Sequence, residues 1–162
     1  VIKAFTFPEF RDEKNKALSD KLKSVKTASC HIRRGDYLKD PIYGVCNSDY
    51  YTRAITELNQ SVNPDMYCMF SDDIGWCKEN FKFLIGDKEV VFVDWNKGQE
   101  SFYDMQLMSL CHYNIIANSS FSWWGAWLNN NDDKVVVAPE RWMNKTLEND
   151  PICDNWKRIK VE

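Results

Sequence analysis

Ala28-Ser29-Cys30-His31-Ile32-Arg33-Arg34-Gly35-Asp36-Tyr37 is a short apolar run that breaks into two arginines, a glycine and an aspartate. A run of this length predicts a buried strand, and a strand that ends in charge places that charge at a sheet's ligand-binding edge. Arginine suits a phosphate there, because its planar fork holds two anionic oxygens and stays charged at any working pH. Side chains alternate across a strand, so His31 and Arg33 are expected on one face and Arg34 on the other. One arginine is expected on phosphate and one in a mainly structural role, with Gly35 letting the chain turn sharply. A surface Arg–Asp salt bridge beside a turn explains the same residues about equally well. An adhesion signal at Arg34-Gly35-Asp36 is a much weaker reading, since such tripeptides are common by chance.

Working outward, residues 9 to 26 carry Phe10, Ala17, Leu18, Leu22 and Val25 near helical spacing and predict a helix before the strand. After a Gly/Pro loop, Ser48 and Asp49 are expected to cap a helix carrying Tyr50, Tyr51, Ala54, Ile55 and Leu58, which Pro64 closes. Apolar runs then alternate with helical patterns: Met66 to Phe70, Ile74 to Phe81, Val90 to Val93, Phe102 to His112, Asn114 to Ala117, Phe121 to Leu128 and Val135 to Ala138. Strands alternating with helices require crossover connections, and so predict an α/β, Rossmann-like parallel sheet with helices on both faces.

With 162 residues, 44% of them hydrophobic and 14% aromatic, the chain is expected to bury one core. A net charge of −3 and a pI near 5.5 give no basic field for nucleic acid, so any phosphate must be met by a few local cations. No segment approaches the roughly 18 to 20 apolar residues of a membrane span, and no signal-peptide pattern is present. The six cysteines, Cys30, Cys46, Cys68, Cys77, Cys111 and Cys153, are irregularly spaced and read as buried free thiols. Sequons at Asn59, Asn118 and Asn144 do not imply secretion, because the one at Asn118 precedes a tryptophan-rich run that should be buried.

A second group of residues lies further on. Asp104, Leu107, Met108 and Cys111 fall at i, i+3, i+4 and i+7, which puts a carboxylate in line with an apolar helix face. It can accept the two adjacent N–H donors of a guanine, or it can form a capping box with Ser101; spacing alone favours the cap. Asn118-Ser119-Ser120-Phe121-Ser122 then leads into a helix through Trp123, Trp124 and Trp127. The amides at that helix start form an anion site suited to a diphosphate, or the hydroxyls simply cap the helix. The tryptophans read as core. Asp72 and Asp73 are adjacent rather than spaced by one, and Cys30-His31 and Cys111-His112 cannot each chelate one ion, so no metal is expected.

Together, His31-Ile32-Arg33-Arg34-Gly35-Asp36-Tyr37, Asp104 to Cys111 and Asn118 to Leu128 resemble the hallmark segments of the α-1,2-fucosyltransferases, glycosyltransferase family 11. The likeness runs from about Cys30 to Pro139. It implies the donor-binding half of a GT-B fold and the transfer of L-fucose from GDP-fucose to the 2-hydroxyl of a galactose-containing acceptor, with inversion and without a metal. Carried over residue by residue, it implies that His31 and Asp104 contact guanine, Arg33 contacts the β-phosphate, and Ser119, Ser120 and Phe121 with Asn118 hold the diphosphate. Asp72 would lie at the ribose, and Arg34 would support the loop. Arg33 and Asp36 are the catalytic candidates, Asp36 as a general base. Residues 1–26 are expected to be a helical lead-in, a remnant of an N-terminal acceptor domain, and 27–162 the GDP-fucose-binding domain, inactive alone. Expected partners are GDP-fucose and a galactose-terminated oligosaccharide or glycoconjugate, not nucleic acid. The expected location is cytoplasmic with peripheral membrane association in a bacterium, or the Golgi lumen in a eukaryote.

Overall fold

The computed structural model describes residues 4–162; the first three residues of the 1–26 lead-in lie outside the described residues. The described chain alternates α1 (Glu13–Leu22), β1 (Thr27–Ile32), α2 (Ser48–Ser61), β2 (Met66–Ser71), α3 (Ile74–Ile85), β3 (Glu89–Val93), α4 (Phe102–Leu110), β4 (Tyr113–Ile115), α5 (Ser120–Trp127), β5 (Val135–Pro139) and β6 (Lys157–Ile159). All pairings are parallel, in the order β3-β2-β1-β4-β5-β6. The chain winds outward from β1 to β3, then crosses to β4 and winds the other way. The order therefore reverses between β1 and β4, and the crevice beyond their carboxyl ends is the ligand position this topology provides.

Strand alternation sorts the helices into two layers. Ala28, Cys30 and Ile32 of β1 pack with Tyr50, Tyr51, Ile55 and Leu58 of α2 and Cys77, Phe81 and Ile85 of α3. On the other face, Met66, Cys68 and Phe70 of β2 meet Leu18 and Leu22 of α1 and Leu107 and Met108 of α4. Ile116, Val136 and Ala138 meet Ala126 of α5, with Ile152 and Trp156 closing that end. Both faces of the central strands are covered, which is why their sequences read as continuous apolar runs instead of alternating ones.

Helix starts are set by short polar side chains. Asp12 Oδ1 accepts from the Asn15 amide at 2.8 Å to start α1. At α2 the cap is Asn47, whose Oδ1 accepts from the Tyr50 amide at 2.9 Å; Ser48 and Asp49, expected as caps, lie inside the first turn. Asp73 caps α3 through the Trp76 amide at 3.1 Å. Helix α4 ends at Leu110, two residues earlier than its apolar run, because the His112 amide already donates to the Thr27 carbonyl at 3.0 Å as the chain enters the sheet. Strand β6 was not expected: Lys157-Arg158-Ile159 is short and polar, and it pairs on one side only.

Candidate active site

At the carboxyl end of β1 the two arginines diverge as alternation requires. Arg33 turns toward Asp36, with Nη2 at 3.0 Å and Nε at 3.1 Å from Oδ1, and its Nε lies 3.9 Å from Asp72 Oδ2. Arg34 goes to the α2–α3 side. Its Nε is 3.3 Å from Asp73 Oδ2 and its guanidinium lies 3.7 Å over the Trp76 ring. The Arg34 amide also donates to Asp72 Oδ1 at 2.9 Å. Asp72 and Asp73 are therefore both engaged by the arginine motif, and Asp73 is a helix cap as well. Among the described residues no group of three or more His, Cys, Asp or Glu side chains is arranged to hold a metal ion.

The chain turns at Gly35 as expected, the Leu38 amide donating to the Arg34 carbonyl at 2.9 Å around it, and a second reason for glycine appears there. Its φ is −16°, not positive, but a Cβ there would sit 2.4 Å from Asp72 Oδ2. Gly35 is needed because the carboxylate that holds the Arg34 amide occupies the space a side chain would take.

The second motif arrives at the same place from β4. The Tyr37 hydroxyl donates to the Asn118 carbonyl at 3.1 Å, and the His31 and Phe121 rings are 5.7 Å apart. The strand end after β1 and the start of α5 thus face each other across the switch point. Ser119 stands at the N-cap position of α5 in extended conformation, with no side-chain capping bond. The amides of the first turn consequently keep free N–H groups, which with the helix dipole favour an anion. Asn118 is buried, and its Nδ2 donates to the carbonyls of Tyr43 and Trp142, each at 3.0 Å, binding two loops to the crevice.

His31 is 7% exposed, and burial with the nearby Arg33 charge holds its pKa down to about 4. The ring is neutral at neutral pH, and its Nδ1 has no partner among the described residues; the same holds for Asn118 Oδ1. Both atoms are unpaired polar groups inside the fold, on the two segments that flank the crevice. Asp36 is exposed, and its ion pair with Arg33 holds its carboxyl below the usual range.

Asp104, in the first turn of α4, forms no capping bond with Ser101. Its Oδ1 accepts from Asn96 Nδ2 at 2.9 Å, and burial pushes its pKa up to about 6 against that bond. Behind it stands Asn15 of α1, fully buried, in a reciprocal amide pair with Asn96. Sequence reading passed over Asn15 and Asn96. An isolated asparagine carries no motif, and the only signal at Asn15 was a polar residue three positions before Leu18 on the buried face of the helix. Tyr37 belonged to the first motif, but its bond to Asn118, like Trp76 under Arg34 and the Asn47 cap, was legible only once the loops were in place. The thiols of Cys30, Cys46, Cys77 and Cys111 are free, and burial raises the pKa of each, to about 12 at Cys46 and about 11 at Cys77. They stay protonated and pack as small apolar groups.

A parallel sheet in this order, with two converging loops at its reversal point, defines a doubly wound α/β domain of the kind whose ligands lie in that crevice. The sequence model of glycosyl transferase family 11 matches residues 13–160, and the chain belongs to that family. It is 42% identical over 153 residues to the alpha-1,2-colitosyltransferase of Escherichia coli, an alignment covering 90% of this chain and 51% of that protein. It is 39% identical over 137 residues to the O-antigen biosynthesis glycosyltransferase WbnK of the same organism, covering 82% and 44%. Galactoside alpha-(1,2)-fucosyltransferase 1 of Ateles belzebuth is 30% identical over 106 residues, covering 63% and 28%. The chain spans about half the length, or less, of these curated relatives.

Proposed function

We propose that this chain is the donor-binding part of an inverting transferase that moves L-fucose from GDP-fucose to the 2-hydroxyl of a galactose-containing acceptor. The observation that carries the reading is the meeting of the Arg33 strand end and the Ser119 to Phe121 helix start across the β1/β4 reversal, with His31 and Phe121 rings 5.7 Å apart. Family membership supports the reaction class. Residues 27–162 form the proposed GDP-fucose domain, and α1 packs onto the same face as α4. No helix of the described residues is long and apolar enough to cross a membrane.

In the reaction the bond from fucose C1 to the diphosphate oxygen breaks while the acceptor 2-hydroxyl oxygen bonds to C1 from the opposite face, and the hydroxyl proton passes to a base. Negative charge grows on the leaving diphosphate. Groups that meet it as it grows lower the barrier, which in this proposal are Arg33 and the free amides at the start of α5. Asp36 now neutralises Arg33; a diphosphate would take that place, and a carboxylate held below its usual pKa is a weak base for a hydroxyl. The proposal therefore assigns Asp36 to holding Arg33. Guanine falls to His31 and Asp104, ribose to Asp72, and loop support to Arg34 and Asn118.

Calorimetry with GDP and ADP, and a transfer assay of the full-length protein with GDP-fucose and a galactose-terminated oligosaccharide, test the reading. Selective GDP binding that falls with Arg33→Ala is expected, and equal binding of GDP and ADP, or none, would overturn it. The name of the 42% identical relative makes a colitosyl donor the second reading, separated by offering both donors in the same assay.

A further inference from the structure

The polar cluster behind Asp104 is larger than a carboxylate on a helix needs. Asn96, 8% exposed, donates one bond to Asp104 Oδ1 at 2.9 Å and one to Asn15 Oδ1 at 2.9 Å. Asn15, fully buried, donates back to Asn96 Oδ1 at 2.7 Å and to Asp12 Oδ2 at 2.7 Å, and accepts from Trp95 Nε1 at 2.8 Å. A buried amide is expensive unless satisfied, and on the same helix Leu18 and Leu22 already pack the apolar interface. A leucine at position 15 would serve packing alone at less risk. What the amides add is direction: Asn96 is gripped by two bonds to Asn15 and presents its remaining N–H to one oxygen of Asp104. That aims the carboxylate and favours its charged form, leaving the second oxygen for a ligand.

We propose that Asn96 and Asn15 are a positioning pair that fixes the Asp104 carboxylate for recognition of guanine, so that α1 contributes to base specificity without touching the ligand. The inference rests on the reading of Asp104 as the base contact. It assigns neither asparagine to the chemistry; both act through Asp104. The pair also explains why α1 is held by polar bonds at its first turn as well as by its leucines.

The test measures GDP and ADP affinity by calorimetry between pH 5 and 8 for the full chain and for Asn96→Ala, Asn96→Asp, Asn15→Leu and Asp104→Asn, with thermal unfolding alongside. Asn15→Leu leaves Asn96 and Trp95 Nε1 without their partners, so some loss of stability is expected, and Asn96→Asp, nearly isosteric, carries the test if the larger changes do not fold. In the parent, GDP affinity should fall as pH drops through about 6, where Asp104 takes up a proton. Burial and the opposing Asn96 bond account for that pKa; Asp12 faces Asn15, and the Lys14 amine lies 5.6 Å over the Trp95 ring. Without the Asn96 donor the carboxyl is harder to ionise, so the fall should begin at higher pH in Asn96→Ala. In Asn96→Asp it should begin higher still, because a second carboxylate faces the first. The GDP-to-ADP ratio should drop about tenfold in the Asn96 and Asn15 variants. If these variants keep the parent's ratio and pH profile while Asp104→Asn loses selectivity, the pair is a structural clasp and the proposal fails with the base reading intact. If Asp104→Asn keeps the ratio, the base reading fails and takes this proposal with it.

Discussion

Arg33 and Arg34 are neighbours in sequence but serve opposite sides of the sheet, and their partners predict different losses. Arg33 holds only exposed or loosely placed carboxylates, at 3.0 Å to Asp36 and 3.9 Å to Asp72, whereas Arg34 is clamped between Asp73 and the Trp76 ring. Arg33→Ala is therefore expected to weaken GDP binding more than tenfold, a charge-assisted phosphate contact being worth roughly 1.5 to 3 kcal/mol. Arg34→Ala should lower the melting temperature with a much smaller effect on affinity. Equal small losses in calorimetry of the two variants would place the phosphate elsewhere. Asp104 gives a prediction of opposite signs for stability and binding. Its folded pKa, about 6, lies above the unfolded 3.8, so the folded state binds more protons between those values and its stability declines as pH rises from about 4 to 6. At pH 7 the ionised, half-buried carboxylate is a net liability on the order of 2 kcal/mol. Asp104→Asn keeps an acceptor for Asn96, so it should raise the melting temperature of the ligand-free chain at pH 7 while reducing selectivity for GDP over ADP. A melting temperature that falls would mean that burial does not penalise the charge as inferred.

Helices α4 and α5 touch through Gly125, where a Cβ would lie 2.9 Å from Met108 Cβ and 3.2 Å from its sulfur. Alanine is the better helix former by about 1 kcal/mol, but a contact this short forces two backbones apart, and overpacking of this kind costs about 1 to 3 kcal/mol. Gly125→Ala is expected to destabilise the chain and to displace the start of α5 relative to α4. Denaturant melts and GDP titration should both register it, and unchanged values would mean that the helices slide freely. Such contacts mark what the sequence conceals. The strands β1, β2 and β5 were legible because they are buried, so their apolar runs needed no partner to interpret, and the edge strand β3 was legible from the β-branched and aromatic run Val90-Val91-Phe92-Val93 although it is only half-buried. That the segment after β1 would lie beside the start of α5 was legible because parallel topology sends every strand's carboxyl end to one edge. By contrast, the close approach behind Gly35 and the Asn15–Asn96 pair depend on residues far apart in sequence meeting in space, while at α2 local spacing offered Ser48 and Asp49 beside the actual cap, Asn47. Local spacing even favoured the wrong partner for Asp104, because Ser101 lies at capping distance in sequence while Asn96, beyond the helix, holds the carboxylate.

Over the whole molecule, a net charge of −3 must coexist with a site that we propose binds a diphosphate. The long-range field is unfavourable, so attraction has to come from charges within a Debye length of the ligand, about 8 to 10 Å at moderate salt. Arg33 and the amide ends of α5 are those charges in our proposal. Asp72 and Asp73, the one carboxylate pair at this edge that invites a divalent ion, are already bonded to the Arg34 amide and guanidinium and to the Trp76 amide. Recruiting them to a metal would release Arg34 and uncap α3. Transfer from GDP-fucose by the full-length protein is accordingly expected to persist in excess EDTA. Rising salt should weaken donor binding only modestly, since the Arg33 side chain is 38% exposed and screening is partial. Loss of transfer in EDTA with rescue by Mn²⁺ or Mg²⁺ would reverse the assignment, making Asp72 and Asp73 ligands and Arg34 a group displaced on metal binding. Thermal unfolding with and without the ion separates the two cases, because a metal held by these aspartates would also raise the melting temperature of the nucleotide-free chain.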